Sequence, residues 1–525
     1  MSEKKMEWVS ASLNRRQFLQ AGALGALAVT MPKVVWAGGK KILKVRDYSP
    51  VESFDPAVHS GVPEEGACHA IYNKLISYVP GDEWGWRLEA AESIEQADPT
   101  HIKFQLKKGI QFTNGYGEMT AEDVKFSLER HLDPKVKSQL KNDLGTFSHV
   151  DVTGTYSGVI VLKEAFAPIW MTGLAYMAGN IICKKATEEK GGTFTTPPCC
   201  SGPYKFKSWK PKQGTVLVKN ELWTGEPAEF DEIHILVIDD EKSAEIGYEA
   251  GDLDFTRISM SSLGNYVSAP QPNSTLVTKP SLYYVWMGMN VDNSILKDRR
   301  IRKAVQYAVD VESVLEASYF GAAKRATGIL APGLIGHRAE NKIAKPDIAK
   351  ATALLEEAGY SRGLELTIDV LNKTTFVTAA QVIQASLAQA GIKLVINVHD
   401  SGTFWSLGDA SKGDGWKNVQ LILNRFSSAP EPYYATQWFI KEQIGAWNWE
   451  RFNDEEYNTL HHKAAVETDT AKRDKMYKKM MDLMEESGAY TFLTHEAVPL
   501  IYRNTIVPAL RPDGVPMWRY FKTAS

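Results

Sequence analysis

The sequence predicts an α/β fold in which more than one lobe shares a sheet, and three observations carry that prediction. The first is periodicity. Asp347 is placed to cap a helix carrying Ile348, Ala351, Leu354, Leu355 and Ala358, which Gly359 ends. Leu364, Leu366, Ile368 and Val370 then alternate as a strand. Phe376, Ala380, Ile383, Leu387 and Ala390 trace a second helix stopped by Gly391, and Ile392, Leu394, Ile396 and Val398 alternate again. Strand, helix and strand within about 35 residues make a βαβ unit, which requires parallel neighbours in a sheet. The second observation is size: 525 residues exceed the roughly 250–300 at which one core stops growing. The third is continuity. No fixed-period repeat or low-complexity linker divides the chain, so the lobes are joined through the sheet and the chain crosses between them more than once.

The remaining elements follow in order. Asn14-Arg15-Arg16-Gln17-Phe18-Leu19-Gln20 precedes a short apolar stretch from Phe18 to Met31, and Val35-Trp36-Ala37 before Gly38 offers a small-residue cleavage site. Fourteen-odd residues are too few to span a bilayer core, which needs about 20. The adjacent arginines resemble a twin-arginine (Tat) signal, so residues 1–37 are expected to be removed on export to the periplasm. Lys44 to Tyr48 reads as a strand, and Ser53-Phe54-Asp55-Pro56 as a turn. Residues 66–79 carry helical periodicity. Ile102, Phe104 and Leu106 alternate, with turns at Lys108-Gly109 and Asn114-Gly115. Thr120-Ala121-Glu122-Asp123 opens a helix whose buried face is Val124, Leu128 and Leu132.

Composition removes several function classes. With 60 basic against 63 acidic residues the net charge is -3, which argues against a general nucleic-acid partner. Four cysteines, Cys68, Cys183, Cys199 and Cys200, lack the spacing of a zinc site; Cys183 could close a loop with Cys199 or Cys200. There is no Gly-x-Ser-x-Gly elbow, phosphate loop, His-Glu-x-x-His helix or dinucleotide fingerprint. His461 and His462 are neighbours on a helix and face about 100° apart, poorly placed for one metal. No catalytic residue, metal or cofactor is therefore assigned. Ligands of such folds sit in the crevice between lobes, outside the carboxyl ends of strands.

Seven blocks in order resemble the family 5 extracellular solute-binding proteins of ABC importers, the peptide/nickel group. They are Phe54-Asp55-Pro56, Lys107–Phe112 with Thr120–Val124, Ser201-Gly202-Pro203-Tyr204-Lys205-Phe206, Gly251-Asp252-Leu253-Asp254, Asp298-Arg299-Arg300-Ile301-Arg302-Lys303-Ala304, Ala308-Val309-Asp310, and Leu354–Tyr360. The resemblance implies a type II periplasmic-binding-protein fold of three lobes: lobe I from 38–80, 199–285 and 495–525, lobe II from 81–198, and lobe III from 286–494. Lobes I and III would close on the solute by hinge motion and present it to a membrane permease. A monomer is expected, whose protein partners are the permease subunits and the Tat export machinery. Locally, Arg299, Arg300, Arg302 and Lys303 open a helix against its dipole, and the sequence supplies no reason.

The resemblance also locates the solute. Dipeptide-binding relatives hold the peptide amino group with an aspartate, in a loop matched here by Asn424–Tyr434, where serines and Glu431-Pro432 replace the acidic pattern. The segment 370–378, where relatives place a carboxylate-binding base, offers Lys373. Arg425 supplies a planar fork suited to a carboxylate or phosphate, unless it pairs with Glu431 or another acid. Phe426, Tyr433, Trp405, Trp447 and Trp449 offer aromatic faces, and Asn448 stands where the family places an Asn-containing ligand loop. A peptide, or a similar small organic solute with an anionic group and an apolar part, is the expected ligand. A metallophore or nickel complex, an oligosaccharide, or a periplasmic enzyme on the same scaffold are the alternatives.

Overall fold

A ten-stranded sheet runs through the molecule. The computed structural model describes residues 39–58 and 61–524, and the expected signal at 1–37 lies outside them. The strands are β1 (Ile42–Asp47), β2 (Tyr204–Lys210), β3 (Gly214–Lys219), β4 (Glu232–Val237), β5 (Phe255–Arg257), β6 (Ser274–Met289), β7 (Leu364–Leu371), β8 (Ile392–His399), β9 (Leu421–Ser427) and β10 (Tyr490–Arg503). Their order is β2-β3-β4-β1-β5-β10-β6-β9-β7-β8. The expected βαβ unit is present: β7 and β8 pair in parallel from Leu364↔Ile392 to Leu371↔His399, joined by the helix Thr374–Gln389. A separate four-stranded antiparallel sheet uses Ala91–Asp98, His101–Leu106, Ser157–Leu162 and Phe147–Gly154.

The long strands β6 and β10 form an antiparallel ribbon that ties the two halves of the large sheet together. Ser274 lies opposite Arg503 at one end and Gly288 opposite Tyr490 at the other. One half joins only the first end, where β5 residues Phe255–Arg257 pair with Tyr502–Leu500. The other half joins only the second end, where β9 pairs from Leu421↔Met289 to Ser427↔Tyr283. Between them the ribbon register slips: Pro280 faces Ala497 but Tyr284 faces His495, so Ser281, Leu282 and Tyr283 bulge opposite Glu496 alone.

Separate cores fill the two halves. Leu43, Val45, Ile233, Ile235 and Phe255 bury against Phe54, Ile71 and Trp518 in one. In the other, Leu421, Leu423, Leu366, Ile368 and Val285 bury against helices carrying Val305, Leu355, Ala380 and Ile383. The opposite face of that half is aromatic and thioether-rich, with Trp286, Phe439, Tyr490, Met480 and Met484.

Two local expectations are corrected or explained. The helix expected at 66–79 spans Val62–Ile71 and gives way to the short strands Asn73–Lys74 and Ile76–Tyr78. The amides of Ser201 and Gly202 both take the Ile71 carbonyl, at 2.9 and 2.8 Å, which ends the helix. Gly202 is required for that approach, because a Cβ there would lie 2.6 Å from the Ala70 carbonyl oxygen. The cations at the start of the helix Arg299–Ala308 cap a different helix. Arg299 donates to the Glu486 carbonyl at 3.0 Å, Arg302 to Ser487 at 2.8 Å and Lys303 to Glu485 at 3.4 Å. They neutralise the carbonyl end of the helix Thr470–Ser487, which outweighs the unfavourable placement on their own.

Asp55 does more than turn the chain. Its carboxylate accepts a bidentate pair from Arg130, 2.6 and 2.8 Å, with both groups buried. Among the described residues no helix is long and apolar enough to cross a membrane.

Candidate ligand site

The sheet register sets the site. β1 runs parallel to β4 and β5, and the carboxyl end of β5 points toward the middle of the ribbon. β9 runs parallel to β7, and its carboxyl end, at Ser427 opposite Tyr283, points toward the same middle from the other side. The carboxyl ends of two sheet halves therefore face one another across the bulge of Ser281–Tyr283 and Glu496. Residues just outside strand carboxyl ends are where α/β sheets bind ligands.

Arg425, near the end of β9, is the centre of a polar group there. Its guanidinium lies 4.1 Å above the Tyr283 ring, and Nη1 is 3.4 Å from Glu496 Oε1. Lys373, just before the helix Thr374–Gln389, brings Nζ to 3.6 Å from the same oxygen. Two cations thus share one carboxylate at distances too long for strong hydrogen bonds, leaving this group with positive charge to spare. Tyr319 is buried beside it with a hydroxyl that has no hydrogen-bond partner. Burial first, and then the Glu496 charge, raises the Tyr319 hydroxyl above its ordinary range, so it stays a neutral donor. Across the ribbon, Tyr48 follows β1 and is 51% exposed, while Tyr283 is 41% exposed. Burial and then Asp47, Tyr283 and Glu64 hold the Tyr48 hydroxyl protonated, which places Tyr48 within electrostatic reach of the bulge.

Strand alternation separates Arg425 from Phe426. Leu421, Leu423 and Arg425 share one face of β9, and Ile422, Asn424 and Phe426 the other. Phe426 joins an aromatic cluster, with ring centroids 5.0 Å from Trp286, 6.3 Å from Trp405 and 6.0 Å from Trp447. Trp405 stacks on Phe426 at 22°, and Trp447 is the exposed rim of that cluster. The structure thus brings Phe426, Trp405 and Trp447 together with one another, on the face of β9 opposite Arg425.

The structure does not bring Asn448, Trp449 and Tyr433 to the Arg425 group. Asn448 is fully buried; its amide donates to the carbonyls of Phe439, Ile440 and Phe452, and its oxygen accepts from Phe452 N at 3.0 Å. Its bonds hold a loop. Trp449 is buried with Phe404, Val419 and Ile422, and donates to Ala446 O at 2.7 Å. Tyr433 stacks on His461 at 4.7 Å and meets Phe166 edge-on at 5.5 Å. Of the acids that could have paired with Arg425, Glu431 is buried and held by Arg473 at 2.6 Å, and Glu496 is the one that does.

Tyr48, Tyr283, Tyr319 and Glu496 carry no local sequence pattern and are absent from the sequence-based site. One signal for Tyr283 and Glu496 exists: Pro280 inside a strand lacks the ladder donor and marks the irregularity beside them.

Comparison with known proteins agrees with this architecture. The profile of the bacterial extracellular solute-binding proteins, family 5 Middle, matches residues 86–445. The glutathione-binding protein GsiB of Salmonella paratyphi A is 25% identical over 418 residues, 78% of this chain and 80% of its own. Two solved structures share the fold. HbpA2 from Haemophilus parasuis has a TM-score of 0.82 at 20% identity, over 92% of this chain and 100% of its own. DppA from Helicobacter pylori, in complex with the peptide STSA, has a TM-score of 0.68 at 21% identity, over 93% and 99%. A chain that matches the profile from residue 86 to 445, over most of its length, belongs to the family 5 bacterial extracellular solute-binding proteins.

Proposed function

We propose that this chain is an exported receptor that captures a small organic solute with an anionic group, a peptide or a peptide-like molecule, and delivers it to the permease of an ABC importer. The observation that carries the reading is the group of Arg425 and Lys373 sharing Glu496 where the two sheet halves face each other. An anionic ligand group competes with Glu496 for those cations, and the Tyr319 hydroxyl adds a donor. Tyr48 and Tyr283 flank the site with faces suited to an apolar or planar part of the ligand. The names of the relatives, which bind glutathione or a peptide, support a ligand with free carboxylates.

Of the three lobes with the boundaries given above, lobes I and III close on the solute, and closure bends the ribbon at its bulge. Export through the twin-arginine route, a periplasmic monomer, and handover to two permease subunits complete the reading. No chemical step is involved, and no catalytic residue is assigned.

The test is native mass spectrometry of residues 38–525 from a periplasmic extract, repeated after denaturation and refolding. A mass excess lost on refolding, matching a solute with a carboxylate or phosphate, is the expected result. Adding that solute back should raise the melting temperature as RT ln(1 + [L]/Kd) requires. A neutral captured solute, or a covalent or metal adduct that survives refolding, overturns it.

A further inference from the structure

The four cysteines are all buried, and all carry free thiols. Their sulfurs are not equivalent. Cys68 donates its thiol to the Phe54 carbonyl at 3.6 Å, and Cys200 Sγ accepts from the Phe206 amide at 3.5 Å. Cys183 Sγ accepts from the amides of Lys185 and Ala186 at the start of the helix Lys184–Glu188, and it alone of the other three sulfurs interacts directly with that of Cys199. Both sit in the same apolar cluster, beside Ile182 and Phe194.

The backbone between them is fixed at both ends. Cys183 accepts from Thr187 N at 3.0 Å, and Cys200 N is held by Thr113 Oγ1 at 2.9 Å. Within the segment, Thr195 O takes the Phe54 amide at 2.9 Å, Phe194 N donates to Asp55 Oδ2 at 3.3 Å and Gly192 O accepts from Arg130 at 2.7 Å. The loop thus caps the buried Asp55–Arg130 pair, and opening it would expose that pair to water.

We propose that Cys183 and Cys199 form a disulfide when the chain meets an oxidising thiol–disulfide partner, and that Cys68 and Cys200 remain thiols. The donor is a protein disulfide or oxidised glutathione. The Cys183 thiolate attacks one donor sulfur, forming a mixed disulfide and releasing one donor thiolate. The Cys199 thiolate then attacks the Cys183 sulfur and releases the second. The pair gives up two protons and two electrons, and the donor disulfide is reduced to two thiols. The hydrogen bond from Cys199 lowers the Cys183 thiol from its ordinary range, which suits Cys183 to the first attack. Residues Glu188–Gly191 are the exposed part of the loop, and the donor approaches from that side. Once formed, the bond pins the cap over Asp55 and Arg130.

The test refolds the full chain with oxidised glutathione, then alkylates it in denaturant without reductant. Two alkylated cysteines of four, and a chain lighter by two hydrogens before alkylation, are the expected masses. Fragmentation of the cross-linked peptide should place the bond at Cys183 and Cys199. Cys200→Ser should keep the bond and Cys199→Ser should lose it, with reduction lowering the melting temperature by a few degrees only where the bond forms. Four alkylated thiols in the parent, or a bond that survives Cys199→Ser and disappears in Cys200→Ser, overturns the assignment. If a serine variant fails to fold, the fragmentation of the parent still decides.

Discussion

Replacing Glu450 with Gln should flatten part of the pH dependence of stability. Glu450 is buried at 1% exposure beneath the Phe426 cluster, where its Oε1 accepts from Trp286 Nε1 at 2.7 Å. Burial, partly opposed by that bond, pushes its carboxyl up from 4.5 to about 7. The unfolded chain therefore ionises Glu450 above about pH 4.5, whereas the folded chain keeps it protonated to about 7. Between those values the folded state binds more protons, so its stability falls by about 1.4 kcal/mol per pH unit as pH rises. Above pH 7 the accumulated loss is constant at about 3 kcal/mol. Gln has the same shape and does not titrate, so Glu450→Gln should remove that loss. Urea unfolding of parent and variant from pH 4.5 to 8.5 measures it. The stability difference should shift in favour of the variant by about 3 kcal/mol across this range. Parallel curves would show that Glu450 is ionised in the folded state and that the reasoning from burial is wrong.

Arg425→Ala should weaken binding of an anionic solute about tenfold or more, while Glu496→Gln should strengthen it by freeing both cations; calorimetric titration with the captured solute reads both, and equal affinities would remove the group from the site. Arg130→Met leaves Asp55 buried without its cation and should cost about 3–5 kcal/mol in urea unfolding. Gly202→Ala drives a methyl toward the Ala70 carbonyl and should cost about 1–3 kcal/mol, with a lower melting temperature and unchanged solute affinity in the folded fraction.

The parts of the fold legible in the sequence are those with a local period. β7, the helix Thr374–Gln389 and β8 appear where the apolar spacing places them, because each needs only its own residues to define a buried face. The helix end at Ile71 was not legible, since the amides that take its carbonyl come from Ser201 and Gly202. The same distance in sequence hides the site. Arg425 could be singled out as a cation on a family loop, but its partner, Glu496, lies on the other side of β6. Glu431 is nearer in sequence and is already held by Arg473. Asn448 and Trp449 match a ligand loop by position, yet Trp449 fills the space beside Gly408, where a Cβ would lie 2.0 Å from its ring. Composition cannot distinguish a tryptophan that faces solute from one that fills a core.

The register also gives the proposed closure its place in the sheet. Between the last β5 pair, Arg257↔Leu500, and the last β9 pair, Tyr283↔Ser427, the sheet narrows to the β6–β10 ribbon alone. That narrow part holds Pro280 and Pro499, neither of which has an amide to donate, and the Ser281–Tyr283 bulge leaves further groups outside the ladder. Two-stranded ribbons twist more readily than wide sheets, so rotating one half against the other here disturbs the fewest hydrogen bonds. Tyr283 and Glu496 occupy this same bulge and touch Arg425 from it. On the proposed function, a ligand that draws Arg425 and Lys373 away from Glu496 would act on the residues where the sheet is narrowest. Occupancy of the site and the angle between the sheet halves would, on that same proposal, be coupled by contact, without a relay through either core.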